Sequence, residues 1–125
     1  MPVSGLPPYD TQNIFARILR GEIPCKKVYE DAFALGFHDI APQAPTHVLV
    51  IPKGAYCSFA DFSAQASDAE IGGFMRAVGA IARDLGLEGS GYRLLANMGE
   101  HSGQEVPHFH VHLFGGRPLG RMIPG

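Results

Sequence analysis

The chain has 125 residues, of which 46% are hydrophobic and 18% charged, and its formal net charge is −2. These values are typical of one soluble globular domain, and the absence of a basic cluster argues against a nucleic-acid or anionic membrane surface. Cys25 and Cys57 match no metal or redox spacing, so we expect reduced thiols in a cytoplasmic protein. Proline and glycine in residues 1–10 predict a flexible leader without a signal-peptide pattern, followed by a single domain over 11–125.

The first half of the chain predicts a short helix and three strands. Apolar residues recur at helical spacing over residues 13–20, and a glycine and then a proline end the pattern. Residues 26–30 and 33–38 alternate with period two, which predicts a hairpin. The apolar run 47–52 predicts a third strand.

The second half predicts a long helix and two more strands. Ser67 and Glu70 form a capping box that begins a helix over about 68–85, and Gly86 ends it. Its predicted core positions are Ile71, Phe74, Met75, Val78, Ile81, Ala82 and Leu85. Residues 92–98 and 108–114 predict strands. This order favours an α+β domain, with helices on one side of a five-stranded antiparallel sheet.

Small residues form a second stripe on the long helix, opposite the predicted core positions. The stripe consists of Ala69, Gly73, Ala77 and Ala80. Glycine inside a helix costs about 0.5–1 kcal/mol relative to alanine. Either a second helix approaches this stripe closely, or the stripe is a surface under no constraint.

Residues 108–114, His-Phe-His-Val-His-Leu-Phe, hold three of the six histidines at every second position. In a strand these histidines share one face, and Phe109, Val111 and Leu113 share the other. The run is either a half-buried strand with a histidine-rich polar face or a functional site. We favour the site, because histidine is an uncommon residue on such a face.

Two kinds of chemistry fit this row of imidazoles. The histidines could bind a metal ion, with His47 or Asp39 as a further ligand, although three alternate strand residues span about 13 Å. Alternatively, a neutral central imidazole could attack a phosphorus and form a phosphoramidate that water then cleaves. Backbone N–H groups of residues 103–106 would then bind the phosphate oxygens. The spacing favours covalent catalysis.

The run resembles the defining motif of the histidine triad (HIT) superfamily, His-φ-His-φ-His-φ-φ with φ apolar. Further segments resemble the Hint branch of nucleotide-binding proteins, and they lie at 13–18, 22–24, 37–47, 50–53, 103–106 and 115–120. The similarity covers about residues 12–122. It implies a HIT-like fold with one short N-terminal helix, one long central helix and a five-stranded antiparallel sheet.

The resemblance implies a purine nucleoside phosphoramidase that hydrolyses P–N bonds of adenosine phosphoramidates or adenylated amines, with no cofactor and no metal ion. By the family pattern His110 is the nucleophile and forms a nucleotidyl-histidine. His112 and His108 hold phosphate oxygens and orient the ring, and His47 joins the proton relay. The alternatives are a nucleotide-binding interaction protein with incidental hydrolysis and a metal-dependent phosphoesterase.

The resemblance also implies a nucleotide site. Asp39 aligns with the residue that binds the ribose hydroxyls, although it could instead cap a turn. The base slot aligns with Ile14, Phe15, Ile18, Phe37 and Ile40, residues that could equally belong to the core. Asn97, Gly103 and Val106 align with groups around the phosphate, and His38 and Glu105 complete the predicted pocket. Many animal members carry serine at the position of Glu105.

Three further features qualify the resemblance. Pro107 replaces the usual aromatic residue, which affects strand pairing before the first triad histidine. Asn13 and Ala16 replace the Cys-x-x-Cys of zinc-binding relatives, and His112 rather than glutamine indicates water as the acceptor. The small-residue stripe predicts a two-fold homodimer with the long helix near the axis, because a two-fold contact is self-complementary. The resemblance also implies a homodimer, in which two subunits form one continuous sheet across the axis and the partner's tail over 121–125 lies near the active-site mouth.

Overall fold

The computed structural model describes residues 1–124. Its elements in chain order are α1 (Ile14–Leu19), β1 (Lys27–Glu30), β2 (Ala34–His38), β3 (Thr46–Pro52), α2 (Phe59–Gln65), α3 (Asp68–Asp84), β4 (Arg93–Leu95) and β5 (Val111–Gly115). The strands form one antiparallel sheet in the order β1-β2-β3-β5-β4. The predicted α+β class and five-stranded antiparallel sheet are confirmed.

Helices cover both faces of the sheet, so the prediction of helices on one side is wrong. On one face, Val48 and Val50 of β3 belong to the core under α3, together with Phe74. On the other face, Leu49 and Ile51 belong to a second core. Because β3 is apolar at four consecutive positions, it is buried on both sides, a pattern that a one-sided sheet does not require. The second core contains Phe15, Leu35, Phe37, Leu49 and Ile51, with Phe15 contributed by α1.

The helix boundaries follow the capping residues in the sequence. The Asn13 side chain accepts a hydrogen bond from the Ala16 amide at 2.9 Å and begins α1. The predicted capping box of Ser67 and Glu70 begins α3. Helix α2 was not predicted, although Ser58 begins it with a capping box of the same kind.

The middle of the small-residue stripe of α3, Gly73 and Ala77, packs within its own domain, whereas Ala69 is exposed. Ala77 is buried in the core, and the ring of Phe33 covers Gly73 so closely that a Cβ atom there would collide with it. Met75, predicted as a core residue, is instead 53% exposed. The glycine at 73 is therefore explained by Phe33 of the β1–β2 turn and needs no second helix.

The histidine-rich run is only partly a strand, which corrects the prediction of a strand over 108–114. Strand β5 begins at Val111, three residues after His108. Pro107 has no N–H group for a ladder, and the Phe109 N–H donates at 2.7 Å to the Tyr56 carbonyl in a loop. The side chains still alternate, because Phe109, Val111 and Leu113 all lie in the core under α3.

The leader, which we expected to be flexible, contacts the domain at several points. The Val3 N–H donates at 2.7 Å to the Gln104 carbonyl, and the Ser58 hydroxyl donates at 2.7 Å to the carbonyl of buried Gly5. At the other end, the Arg93 guanidinium donates to the Gly120 carbonyl at 3.0 Å. The predicted tail over 121–125 is exposed at 121–124, and Gly125 lies outside the described residues. Within residues 1–124, none of the helices has the length and hydropathy needed to cross a membrane.

Candidate active site

Strand pairing brings two distant histidines together on the face that carries α1. Leu49 of β3 lies opposite His112 of β5, and His47 lies opposite Phe114. His47 and His112 are therefore diagonal neighbours on one face of the sheet. Their ring centroids are 5.2 Å apart, and His47 also packs on the ring of Phe114 at 4.2 Å.

The first two triad histidines are held by main-chain carbonyls, which fixes their tautomers. A carbonyl can only accept, so His108 Nε2 carries a proton and donates it at 3.0 Å to the Pro52 carbonyl. His110 Nδ1 likewise donates at 2.7 Å to the His108 carbonyl. The lone pair of His110 is therefore on Nε2, the ring nitrogen that a nucleophile needs.

His47 and His112 are linked ring to ring. The Gln43 N–H donates at 3.1 Å to His47 Nδ1, so the His47 proton is on Nε2. That nitrogen donates at 2.9 Å to His112 Nδ1, which leaves a proton on His112 Nε2. Asp39 Oδ2 is 3.5 Å from the same nitrogen of His47. The linkage gives a directed path for a proton from one ring to the next.

All four imidazoles are neutral near pH 7. Burial lowers the pKa of His108 to about 4, although the Pro52 carbonyl opposes the shift. Burial, reinforced by the neighbouring His110 and His47, lowers the pKa of His112 to about 4. Burial also lowers the pKa of His110 and the pKa of His47. The negative charge of Asp39 opposes the shift in both rings. Neutral rings can act as nucleophile and as proton acceptor.

Two of these histidines, His110 and His112, line a cavity of about 300 Å³. Its lining combines apolar side chains with polar groups, several of them from the loops at 39–43 and 103–106. The lining residues are Phe15, Asp39, Ala41, Gln43, Leu49, Asn97, Gly103, Gln104, Glu105, Val106, His110 and His112. The volume lies at the lower end of the range for small-ligand sites.

The structure brings only part of the predicted nucleotide site to this cavity. The predicted residues that line it are Phe15, Asp39, Asn97, Gly103, Glu105, Val106, His110 and His112. Phe37 and Ile18 lie in the core beside Phe15, whereas His38 is exposed. Ile40 is 98% exposed and Ile14 44% exposed, so neither of them encloses an apolar slot in this single chain.

His108 does not lie where the resemblance places it. Its side chain is fully buried and does not line the cavity in which a phosphate would bind. Its contribution in the structure is the main-chain carbonyl that holds His110. The reason is local, since the ring nitrogens of His108 face Pro52 and Tyr9, at 3.0 and 2.6 Å, away from the cavity.

Only part of the loop before the histidine run has the free backbone N–H groups that were predicted for residues 103–106. The Gly103 and Gln104 N–H groups already donate at 3.1 Å to the Glu100 and Gly99 carbonyls, so they are not available to a phosphate. The amides of Glu105 and Val106 have no hydrogen-bond partner among residues 1–124. These two groups are the ones that could bind an anion.

Two side chains that organise the site were not predicted, although the backbone of one of them, Gln104, belongs to the predicted loop. Gln104 is buried, and its side chain joins the loop to the Gly99 amide and to the Cys57 and Val106 carbonyls. Tyr9 contacts His108 from 99 positions away in the sequence. A phenol group can form a hydrogen bond, but no local sequence pattern indicates that its partner is His108. Ala41, Gln43 and Leu49 also line the cavity. They were not predicted as site residues, because the sequence does not distinguish them from ordinary loop and core residues.

One group of side chains could hold a metal ion. The ligand atoms of Asp39, His47 and His112 all lie within 4.8 Å of one another. Two imidazoles and a carboxylate are a suitable donor set for zinc. To bind there, an ion would have to displace the proton that His47 and His112 share at 2.9 Å.

A family model for the HIT domain matches residues 20–119 of the chain. The chain belongs to the HIT family. It is 65% identical over 115 residues to a HIT-like protein of Azospirillum brasilense, with 92% of this chain and 94% of that protein covered. It is 46% identical over 112 residues to the purine nucleoside phosphoramidase of Escherichia coli K12, with 90% and 93% covered.

Solved structures show the same similarity. A histidine triad protein from Clostridium difficile superposes with a TM-score of 0.80 at 38% identity, covering 91% of this chain and 98% of that one. A histidine triad nucleotide-binding protein from Candida albicans gives 0.79 at 31% identity, with 91% and 84% covered. The resemblance of the sequence to the HIT superfamily is confirmed.

Proposed function

We propose that this HIT protein hydrolyses the P–N bond of purine nucleoside 5′-phosphoramidates through a nucleotidyl-histidine at His110. The observation that carries the proposal is the fixed tautomer of His110, with its proton donated to the His108 carbonyl and its Nε2 lone pair free. The similarity to the Escherichia coli purine nucleoside phosphoramidase supports the substrate class.

In the first step His110 Nε2 attacks the α-phosphorus and forms a new N–P bond. The P–N bond of the substrate breaks, and the amine leaves with its electron pair and needs one proton. His112 Nε2 carries a proton at the cavity and gives it to the leaving amine. His47 Nε2–H then re-protonates His112 at Nδ1 through the hydrogen bond of 2.9 Å, and a proton from solvent replaces the one that His47 gives up, so neither ring is left as an imidazolate.

In the second step water attacks the same phosphorus and the bond to His110 breaks. His112 accepts the proton that water loses, and the pair releases to solvent the proton taken up in the first step, so both rings return to their starting neutral forms. The Glu105 and Val106 amides bind the phosphoryl oxygens, where negative charge increases in each transition state. No cofactor takes part in either step.

The nucleoside occupies the cavity beside Phe15 and Asp39. The Phe15 ring meets the His110 ring edge to face at 5.0 Å, so an apolar base placed on Phe15 holds the phosphate near the nucleophile. The Asp39 carboxylate lines the cavity with one oxygen bonded to the Ala41 amide at 2.7 Å. Its other oxygen accepts hydrogen bonds from the ribose hydroxyls.

The experiment is intact-protein mass spectrometry after rapid mixing with an adenosine 5′-phosphoramidate. We expect a mass increase of one adenylate on the parent protein and none on the His110→Ala variant. The exposed His101 gives a matched control, because His101→Ala removes an imidazole outside the cavity. Turnover without any adenylated protein under quenched conditions would contradict the covalent step.

A metal-dependent phosphoesterase is the second candidate, because Asp39, His47 and His112 form a possible ligand group. Prolonged treatment with a chelator distinguishes the two. The covalent mechanism predicts unchanged turnover after chelation, whereas a metal mechanism predicts loss of turnover and recovery with added zinc. A protein that only binds purine nucleotides would show affinity but negligible turnover in the same assay.

We also propose a cytoplasmic homodimer in which β4 meets its copy across a two-fold axis. Strand β4 is an edge of the sheet, and Leu94 of this strand is 40% exposed, with Met75 and Phe59 in the same groove 53% and 55% exposed. These residues line one apolar groove with Phe109 and Val111. An edge strand beside an apolar groove suits a self-complementary contact. The proposed contact is therefore at Met75 and the β4 edge, away from the small-residue stripe.

Sedimentation at micromolar concentration tests the dimer. The parent should sediment at twice the chain mass of 13.4 kDa, and Leu94→Glu should shift it to the single mass by placing a charge in the contact. Leu6→Glu is the matched control, because Leu6 is exposed in the leader. A parent protein that sediments as a single chain would contradict the dimer.

A further inference from the structure

The phenol of Tyr9 reaches the buried side of the histidine row from the leader. Its hydroxyl lies 2.6 Å from His108 Nδ1, and the two rings meet edge to face with centroids 5.6 Å apart. Because His108 Nε2–H donates to the Pro52 carbonyl, Nδ1 is the acceptor and the phenol is the donor. Burial raises the pKa of Tyr9 above its usual 10.0, so the hydroxyl keeps the proton that this bond needs.

The leader is anchored at a second point, where it meets the cavity loop. The Val3 amide donates to the Gln104 carbonyl, and the Gly5 carbonyl accepts from the Ser58 hydroxyl, both at 2.7 Å. Gly5 has a φ of +72°, and a Cβ atom there would lie 2.6 Å from Gln104 Oε1. Glycine is required for this approach, so the leader follows a defined path to Tyr9.

We propose that Tyr9 is a positioning residue for the nucleophile and acts through His108. The His108 ring is held from both sides, by the phenol at Nδ1 and by the Pro52 carbonyl at Nε2. The main-chain carbonyl of the same residue accepts the Nδ1 proton of His110 at 2.7 Å. Tyr9 thereby helps to fix the atom that orients the attacking nitrogen. The kinetic part of this inference rests on the proposed function, because it requires His110 as the nucleophile.

Loss of the Tyr9 hydroxyl should affect the chemical step more than substrate binding. The phenol does not line the cavity, so the nucleotide contacts are unchanged. A buried ring nitrogen of His108 would lose its donor, and the ring would shift to find another. Small errors in the placement of a reacting group reduce rates strongly. The expected signature is therefore a lower kcat with a nearly constant KM.

The kinetic test compares Tyr9→Phe with Tyr29→Phe in the full chain. Tyr29 also donates a hydroxyl hydrogen bond, at 2.8 Å to Asp31, but it lies on β1 outside the cavity. We expect Tyr9→Phe to lower kcat and the rate of nucleotidylation about tenfold and to leave KM within about twofold. A kcat for Tyr9→Phe equal to that of the control, or a loss that parallels a loss of folded protein, would overturn the proposal.

Nitrogen-15 spectra of the imidazole rings give a second readout that needs no substrate. In the parent, His108 should be a single Nε2–H tautomer and His110 a single Nδ1–H tautomer. In Tyr9→Phe the His108 Nδ1 resonance should move and the His110 resonances should broaden. Unchanged His110 resonances would overturn the positioning role whatever the activity. Changed resonances in a protein whose parent is inactive would support positioning and contradict the proposed function instead.

Discussion

The two ends of the histidine cluster differ in what receives their protons. The inner pair, His108 and His110, donates to main-chain carbonyls, which cannot pass a proton on. The outer pair, His47 and His112, is joined ring to ring, so a proton given up by one ring can be replaced from the other. Four neutral imidazoles thus have different capacities. The inner pair suits a fixed nucleophile and its support, and the outer pair suits proton transfer.

The largest expected effect is at the inner pair. His110→Ala should lower turnover more than about 10⁴-fold, because it removes the nucleophile itself. Nucleotide binding, measured by titration with a purine monophosphate, should change little. His101→Ala is the control, since that imidazole is exposed and outside the cavity. Rates of His110→Ala within tenfold of the parent would rule out the covalent mechanism.

The outer pair should respond according to the leaving group. His47→Gln keeps an N–H donor toward His112 but cannot exchange a proton, so turnover of a phosphoramidate should fall about 10²-fold. A nucleoside 5′-phosphofluoridate releases fluoride, which needs no proton at the moment of bond cleavage. With that substrate the loss in nucleotidylation should shrink to less than about tenfold. Equal losses with both leaving groups would show that His47 has no part in protonation.

The inner pair also shows how much of the site could be predicted from the sequence. The alternation of histidines with apolar residues predicted that Phe109, Val111 and Leu113 share one face of the strand, and all three lie together in the core under α3. The strand itself was predicted too long, because Pro107 removes a donor and loop contacts replace the ladder before Val111. Periodicity predicts which face a side chain takes, but it does not predict which atoms will satisfy its hydrogen bonds.

Contacts between segments that are distant in the sequence could not be predicted from local sequence patterns. The phenol of Tyr9 meets a histidine 99 residues away, and Gly73 packs beneath Phe33 from another element. By contrast, the coverage of both faces of the sheet was readable, since residues 48–51 are apolar without alternation. The family resemblance supplied the candidate residues around the cavity. The structure then separated those that line it from those, such as Ile40, that are exposed.

A smaller effect is expected from substitution of Asp39, which lies beside His47 of the outer pair. Asp39→Ala should weaken ribonucleotide binding by about 1–3 kcal/mol, because the ribose hydroxyls lose their acceptor. Binding of 2′-deoxy analogues should weaken much less. Asp31→Ala is the matched control, because Asp31 also accepts from turn amides, at 2.7 and 2.9 Å, but lies outside the cavity. Equal losses for ribose and deoxyribose ligands would reduce Asp39 to a turn residue bonded to Ala41.

The smallest expected effect concerns pH, where the two pairs should behave alike. Burial lowers the pKa of His108 and of His112 to about 4, so both rings stay neutral well below the ordinary imidazole value of 6.5. Their neutral forms stabilise the fold fully above pH 6.5, and that contribution is lost as the pH falls through about 4. An unperturbed imidazole would reduce kcat/KM about tenfold at pH 5.5, whereas we expect a smaller loss, because burial lowers the pKa of all four rings. The measurement is a kcat/KM profile between pH 4 and 8, with thermal unfolding followed in the same buffers. An acid limb centred near 6.5 would mean that at least one essential ring is solvated like a free histidine, and the neutral relay would then be wrong.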